Sequence, residues 1–261
     1  MSVRRLLTML ALAGVLLSTG AHAGTACEEK KPDAGAFMQG MALAQRTRAV
    51  LEGSDAQVVL IARVGQDLSK YGLRYSHMAY AWRDHPQGRW SVVHELNQCG
   101  TAESALFNEG LGNFFQDLHA YETRIVVPSQ EVQQRLAAML ASPAPMRMHS
   151  ARYNMLAYPY ATTYQNSNQW LLESWAAAMS EFPVSDRTQA QAWLKLANYQ
   201  PITLDIPAMT RLGGRMFRAN IAFDDQPFDR RMAGHIDTVT VESVIRFVHQ
   251  VDRGARDIDI K

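Results

Sequence analysis

The chain has 261 residues, with 26 Lys and Arg against 25 Asp and Glu and a formal net charge of +1. That length is enough to build one well-buried core. Acids and bases are scattered without a basic run, which argues against nucleic acid or an anionic membrane as partner.

Residues 1–23 carry Arg4 and Arg5, an apolar run over 6–17 and the small-residue ending Ala21-His22-Ala23. The run is too short to span a bilayer and has the three-part form of a secretory signal peptide, so cleavage is expected after Ala23 and the protein is expected in the periplasm. No other window is apolar enough to cross a bilayer, and an integral membrane protein is not expected. Cys27 suggests a lipoprotein, but Gly24-Thr25-Ala26 lacks the leading leucine of a lipidation signal. Cys27 and Cys99 are the only cysteines, and in an oxidising compartment they are expected to pair. In the loop-entropy account such a bridge contributes roughly 3–5 kcal/mol. The alternative is a free, nucleophilic Cys99, five residues after His94.

Further along, residues 37–51 have helical apolar spacing, and 56–64 form a nearly continuous apolar, β-branched run that predicts a buried strand. Residues 74–82 and 89–96 read as two strands joined by a hairpin loop containing Pro86 and Gly88. A strand over 121–127 leads to a helix over 130–140 with Ser129 at its N-cap. Ser142-Pro143-Ala144-Pro145 ends that helix. A tyrosine-rich connection then reaches Asn166, and 167–179 is again helical, with Trp170, Leu171, Ser174, Trp175 and Ala178 facing inward. Helices are predicted over 187–197 and around 206–212, a strand over 216–223, and an amphipathic segment of undetermined type over 240–250. There is no internal repeat, so residues 24–261 read as a single α+β domain.

Three features carry chemistry. His77 and His94 lie on consecutive strands among alternating residues, so both can project from one face of a hairpin. Ser167 opens a helix, where free backbone N–H groups and the helix dipole stabilise negative charge. Taken singly, each histidine reads as a structural one, and Asn166 or Ser167 as a helix cap. The spacings HxH, HxxxH and CxxC are absent, so no metal is expected, nor is a cofactor.

In this order, Tyr75-Ser76-His77-Met78-Ala79-Tyr80, Trp90-Ser91-Val92-Val93-His94-Glu95-Leu96 and Tyr164-Gln165-Asn166-Ser167-Asn168-Gln169-Trp170 resemble the circularly permuted papain-like superfamily. That superfamily includes the lecithin:retinol acyltransferase group and related cell-wall peptidases and acyl hydrolases. The resemblance covers residues 55 to 180, roughly, and leaves the C-terminal 80, about, unassigned. The whole chain also resembles an uncharacterised family of secreted proteobacterial proteins. The resemblance implies an antiparallel sheet packed against the helix that begins at Ser167, followed by further helices. It also implies a site in which Ser167 is the nucleophile, His77 the base and His94 its orienting partner. The Ser167 N–H, joined by Tyr75 or Asn166, would hold the oxyanion. Amides or esters would be the substrates, with a peptidoglycan peptide or a lipid acyl group as the envelope molecule recognised.

The chain departs from the superfamily at the nucleophile, which is normally cysteine. A helix N-terminus and a histidine can lower a thiol pKa from about 8.5 to roughly 3.5–7.5. They cannot ionise an alcohol, so Ser167 would need concerted proton transfer to His77. The alternative is a non-catalytic periplasmic binding protein that keeps a degenerate papain-like cleft.

Overall fold

The structure, a computed structural model, describes residues 33–261. The expected signal segment and Cys27 lie outside the described residues.

The architecture is α+β. Helix α1 (Ala34–Glu52) precedes β1 (Val58–Val64), β2 (His77–Trp82), β3 (Ser91–Asn97) and β4 (Ser104–Glu109). The short α2 (Leu111–Phe114) then leads to β5 (Ala120–Val127). After these come α3 (Gln130–Leu140), α4 (Ala144–Arg147), α5 (Ser167–Met179), α6 (Arg187–Leu196), β6 (Ile202–Asp205), α7 (Ala208–Phe217), α8 (Phe228–Ala233), β7 (His235–Thr238), α9 (Val241–Val251) and β8 (Arg256–Ile260). Six strands form one antiparallel sheet in the order β4-β3-β2-β1-β5-β8, while β6 and β7 pair separately.

Helices cover both faces of the large sheet, which explains why β1 is apolar at nearly every position. Val58, Leu60, Ala62 and Val64 pack with Trp170, Leu171 and Trp175 of α5 and with α9. Val59 and Ile61 pack on the other face with Leu43 of α1 and with Phe114. Trp170, Leu171, Ser174 and Trp175 are fully buried, as the helical pattern predicts, and Ala178 is half-buried. Gly40 allows α1 to approach closely, because a Cβ there would collide with the Phe115 carbonyl.

Several expectations are corrected. Residues 216–223 are not a strand: α7 runs to residue 217 and a turn-rich segment follows. Met209, Leu212 and Met216 recur at helical spacing, and Pro207 at the N-cap starts the helix. The undetermined segment over 240–250 is α9, fixed by a capping box between Thr240 and Ser243. Ser129 takes the N-cap position of α3 without a side-chain bond; its N–H donates to Asp252 Oδ2 at 2.7 Å. Strands β4, β6, β7 and β8 were not expected.

Candidate functional site

β2 and β3 pair as Tyr80↔Val93, Ala81↔Val92 and Trp82↔Ser91. Extending that register sets His94 level with Ala79 and His77 one diagonal step away on the same face. His77 Nε2 and His94 Nδ1 are 2.9 Å apart. β4 adds a third group: with His94↔Phe107 and Val92↔Glu109 in register, Glu109 lies diagonal to His94. Its Oε1 is 3.1 Å from His94 Nε2, but obliquely, so the contact is electrostatic rather than a well-aligned hydrogen bond.

The carboxylate favours a proton on His94 Nε2, which assigns the network. His94 Nδ1 then accepts from His77 Nε2–H, and His77 Nδ1 keeps its lone pair. No described residue bonds that nitrogen, and His77 lines the cavity. Burial holds both imidazoles below their ordinary pKa. Arg63 and then His94 push His77 further down, while Glu109 partly offsets the effect on His94. Both rings are therefore neutral near pH 7.

Phe114 of α2 supports the pair, its ring centroid 6.0 Å from that of His77 and 5.6 Å from that of His94. The Arg63 guanidinium, across from His77 in the β1–β2 register, lies 4.9 Å from the Phe114 centroid and donates to its carbonyl.

Ser167 begins α5. Asn166 is the N-cap: its Oδ1 accepts from Gln169 N–H at 2.8 Å, and its amide nitrogen donates to Thr238 Oγ1 at 3.1 Å. Trp170 N–H is taken by the Asn166 carbonyl. The Ser167 and Asn168 N–H groups are thus the first-turn donors left for a ligand. Asn168 Oδ1 accepts from Met78 N–H at 3.0 Å, which ties the start of α5 to the start of β2 beside His77.

A cavity of about 870 Å³ opens at this end of the sheet, walled by His77, Glu109, Arg63, Ser167, Asn168 and Tyr153. His77 and Ser167 reach it from different sides. On β2, Met78, Tyr80 and Trp82 face α5, whereas Ala79 and Ala81 face α1 and Phe114, the side on which His77 packs. Among the described residues, Ser167 makes no hydrogen bond to His77. Its hydroxyl lies instead beside the buried Tyr153, whose phenol burial pushes up to about 12.

The other expected site residues sit elsewhere or are otherwise engaged. The Asn166 side chain is consumed by capping, so it is not free to hold an oxyanion. Tyr75 also touches the cavity, but its ring lies 5.7 Å from the Arg124 guanidinium, toward β5. Cys99 lies in the turn after β3 and lines the cavity. No cysteine is free among the described residues, and the expected partner Cys27 lies outside them. No group of three or more His, Cys, Asp or Glu among the described residues has a metal-binding arrangement.

Sequence reasoning missed Glu109, Phe114, Tyr153 and Asn168. It also missed two buried carboxyls on the α5 side. Glu95 is fully buried with both oxygens lacking a hydrogen-bond partner of good geometry, and burial, aided by Glu173, pushes it up to about 8 despite Ser104. Glu173 accepts from Gln165, Gln169, Gln191 and Arg187, the last at 2.7 Å. The signal for Glu95 was its place between His94 and Leu96, in the alternation that also turns Val93 toward α5.

The chain belongs to a bacterial family, described as an uncharacterized protein conserved in bacteria (DUF2145), which matches residues 50–248. No curated protein and no solved structure matches it.

Proposed function

We propose that this is an exported, periplasmic hydrolase or acyltransferase of the permuted papain-like type, acting on an amide or ester of a cell-envelope peptide or lipid. The observation that carries the reading is the His77–His94–Glu109 line, which leaves His77 Nδ1 toward a cavity also walled by Ser167. A buried histidine held through one nitrogen and open at the other is arranged as a base. In the reaction, Ser167 and His77, which reach the cavity from different sides of the sheet, must close on each other, and the hydroxyl proton passes to His77 Nδ1 as the oxygen attacks the carbonyl carbon. The oxyanion meets the Ser167 and Asn168 N–H groups. The protonated His77 then gives its proton to the leaving amine or alcohol, and water or an acceptor alcohol releases the acyl group by the reverse steps.

Labelling with a fluorophosphonate tests the reading. Ser167 should be modified, Ser167→Ala should not, and His77→Ala should slow modification at least a hundredfold, about the size of a general-base contribution. A chain whose Ser167 is inert to the probe would leave a second reading. The placement of His77 and Ser167 on different sides of the sheet favours that one: a non-catalytic periplasmic binding protein using the same cavity.

A further inference from the structure

Helix α7 is inverted. Met209, Leu212 and Met216 form one stripe along it and are 78%, 54% and 56% exposed. On its other side Thr210 and Gly214 line the cavity. An ordinary surface helix turns its apolar stripe to the core, yet no described side chain of α7 is buried and none joins a hydrophobic cluster. Helix α8 repeats the pattern, with no buried residue and with Phe228 and Met232 exposed. Neither helix could gain stability from these side chains in water, so the stripe needs another occupant.

Charge identifies it. The scatter of charge along the chain, which argues against an anionic membrane, is an average over the whole sequence. Locally, residues 208–233 carry Arg211, Arg215, Arg218, Arg230 and Arg231 against Asp224, Asp225 and Asp229, and Asp224 and Asp225 lie in the connecting segment, where they accept from Tyr164 Oη and Tyr158 N–H. Arg230 is neutralised by Asp237; the rest leave the apolar stripe flanked by positive charge. Apolar residues on one side and arginines beside them are the composition of a helix lying in the headgroup layer of a membrane.

We propose that α7 and α8 dock this protein peripherally on an anionic phospholipid surface, with the cavity roofed by α7 facing the membrane. Docking needs no chemistry at Ser167, so it stands or falls separately from the hydrolase reading.

The test is co-sedimentation of the purified chain with phosphatidylglycerol and phosphatidylcholine vesicles, with light scattering of the free protein. The wild type should bind the anionic vesicles at least tenfold more tightly, and added salt should weaken binding. Met209→Ser combined with Leu212→Ser and Met216→Ser should lose at least tenfold in partitioning at unchanged melting temperature, since these side chains support no core. Both proteins carry the same N-terminus, so the difference reports the helix. Equal binding by wild type and variant, equal binding to both lipids, or no binding would overturn the proposal. So would a wild-type dimer that the variant converts to monomer, because a second copy would then cover the stripe.

Discussion

His77 Nε2 and His94 Nδ1 face each other at 2.9 Å, and one proton serves both. Glu109, 3.1 Å from the far nitrogen of His94, decides which ring supplies it. Removing that charge should let the proton shift and compromise the lone pair on His77 Nδ1. Glu109→Gln is therefore expected to slow modification of Ser167 by about tenfold, a loss of roughly 1.4 kcal/mol in transition-state stabilisation, without changing reagent saturation. His94→Phe should cost more. An unchanged rate in both variants would remove Glu109 and His94 from the mechanism.

The buried titrating groups give stability a signed pH dependence. His77 is held well below its ordinary 6.5 by burial, Arg63 and His94, so the unfolded chain takes up a proton first as pH falls. Its contribution is complete above about 6.5 and is lost progressively below that, by at most about 1.4 kcal/mol per pH unit. Glu95 has the opposite sign. Its carboxyl is raised from 4.5 to about 8, so the folded state holds a proton that the unfolded state has released, and stability falls as pH rises between those values. Thermal melts should show Glu95→Gln gaining on wild type near pH 8 but not near pH 4, and His77→Gln losing least, relative to wild type, below about pH 5. A Glu95→Gln difference independent of pH would show that Glu95 is not a buried neutral acid.

Gly40 links the helix layer to the histidines. An alanine there gains up to about 1 kcal/mol of helix propensity, but its Cβ meets the Phe115 carbonyl, and overpacking costs about 1–3 kcal/mol. Phe114, next in the chain, rests against both imidazoles. Gly40→Ala should lower the melting temperature and broaden or shift the His77 and His94 ring resonances, although residue 40 touches neither. A stabilised variant with unchanged ring signals would refute the connection.

What was legible in the sequence follows from what surrounds each segment. β1 and α5 are enclosed on both sides, so their apolar runs dominate any reading. Strand β8, Arg256–Ile260, alternates charged residues at the sheet edge and is recognisable only through its pairing with β5. β4 is half-exposed, and with it Glu109 was overlooked. His77 and His94 could be placed together because strand alternation is strict. Their relation to Ser167 could not, because it depends on how the start of α5 meets the end of the sheet, which Asn168 sets through one bond to Met78.

The Glu173–Arg187 pair should be structural. Glu173 is fully buried, and Arg187 also donates to the Thr162 and Tyr164 carbonyls in the segment that delivers Asn166. Glu173→Ala leaves a buried guanidinium without its counter-charge and should cost about 3–5 kcal/mol, whereas Glu173→Met with Arg187→Met should recover most of that. Chemical denaturation of the three proteins measures it. A double variant as unstable as the single one would mean that the pair's bonds to the loop, rather than the stranded charge, set the cost.

Ser167→Cys asks whether the site is built for a thiol. The side chain would sit at the α5 N-terminus beside the unpaired Ser167 and Asn168 N–H groups, sharing a cavity with His77. Helix N-termini and adjacent histidines lower thiol pKa values from about 8.5 into the range of roughly 3.5–7.5. His77 is neutral near pH 7 because burial, Arg63 and His94 oppose its protonation, so it can take the thiol proton only when a thiolate forms beside it. The expected result is alkylation by iodoacetamide with an apparent pKa below about 7.5, returning toward 8.5 in a Ser167→Cys, His77→Ala double variant. Wild-type inertness to fluorophosphonate together with this reactivity would identify a papain-like site that has lost its nucleophile. An ordinary thiol pKa in the single variant would mean that His77 and residue 167 do not act on one another across the cavity, and the hydrolase reading would fall with it.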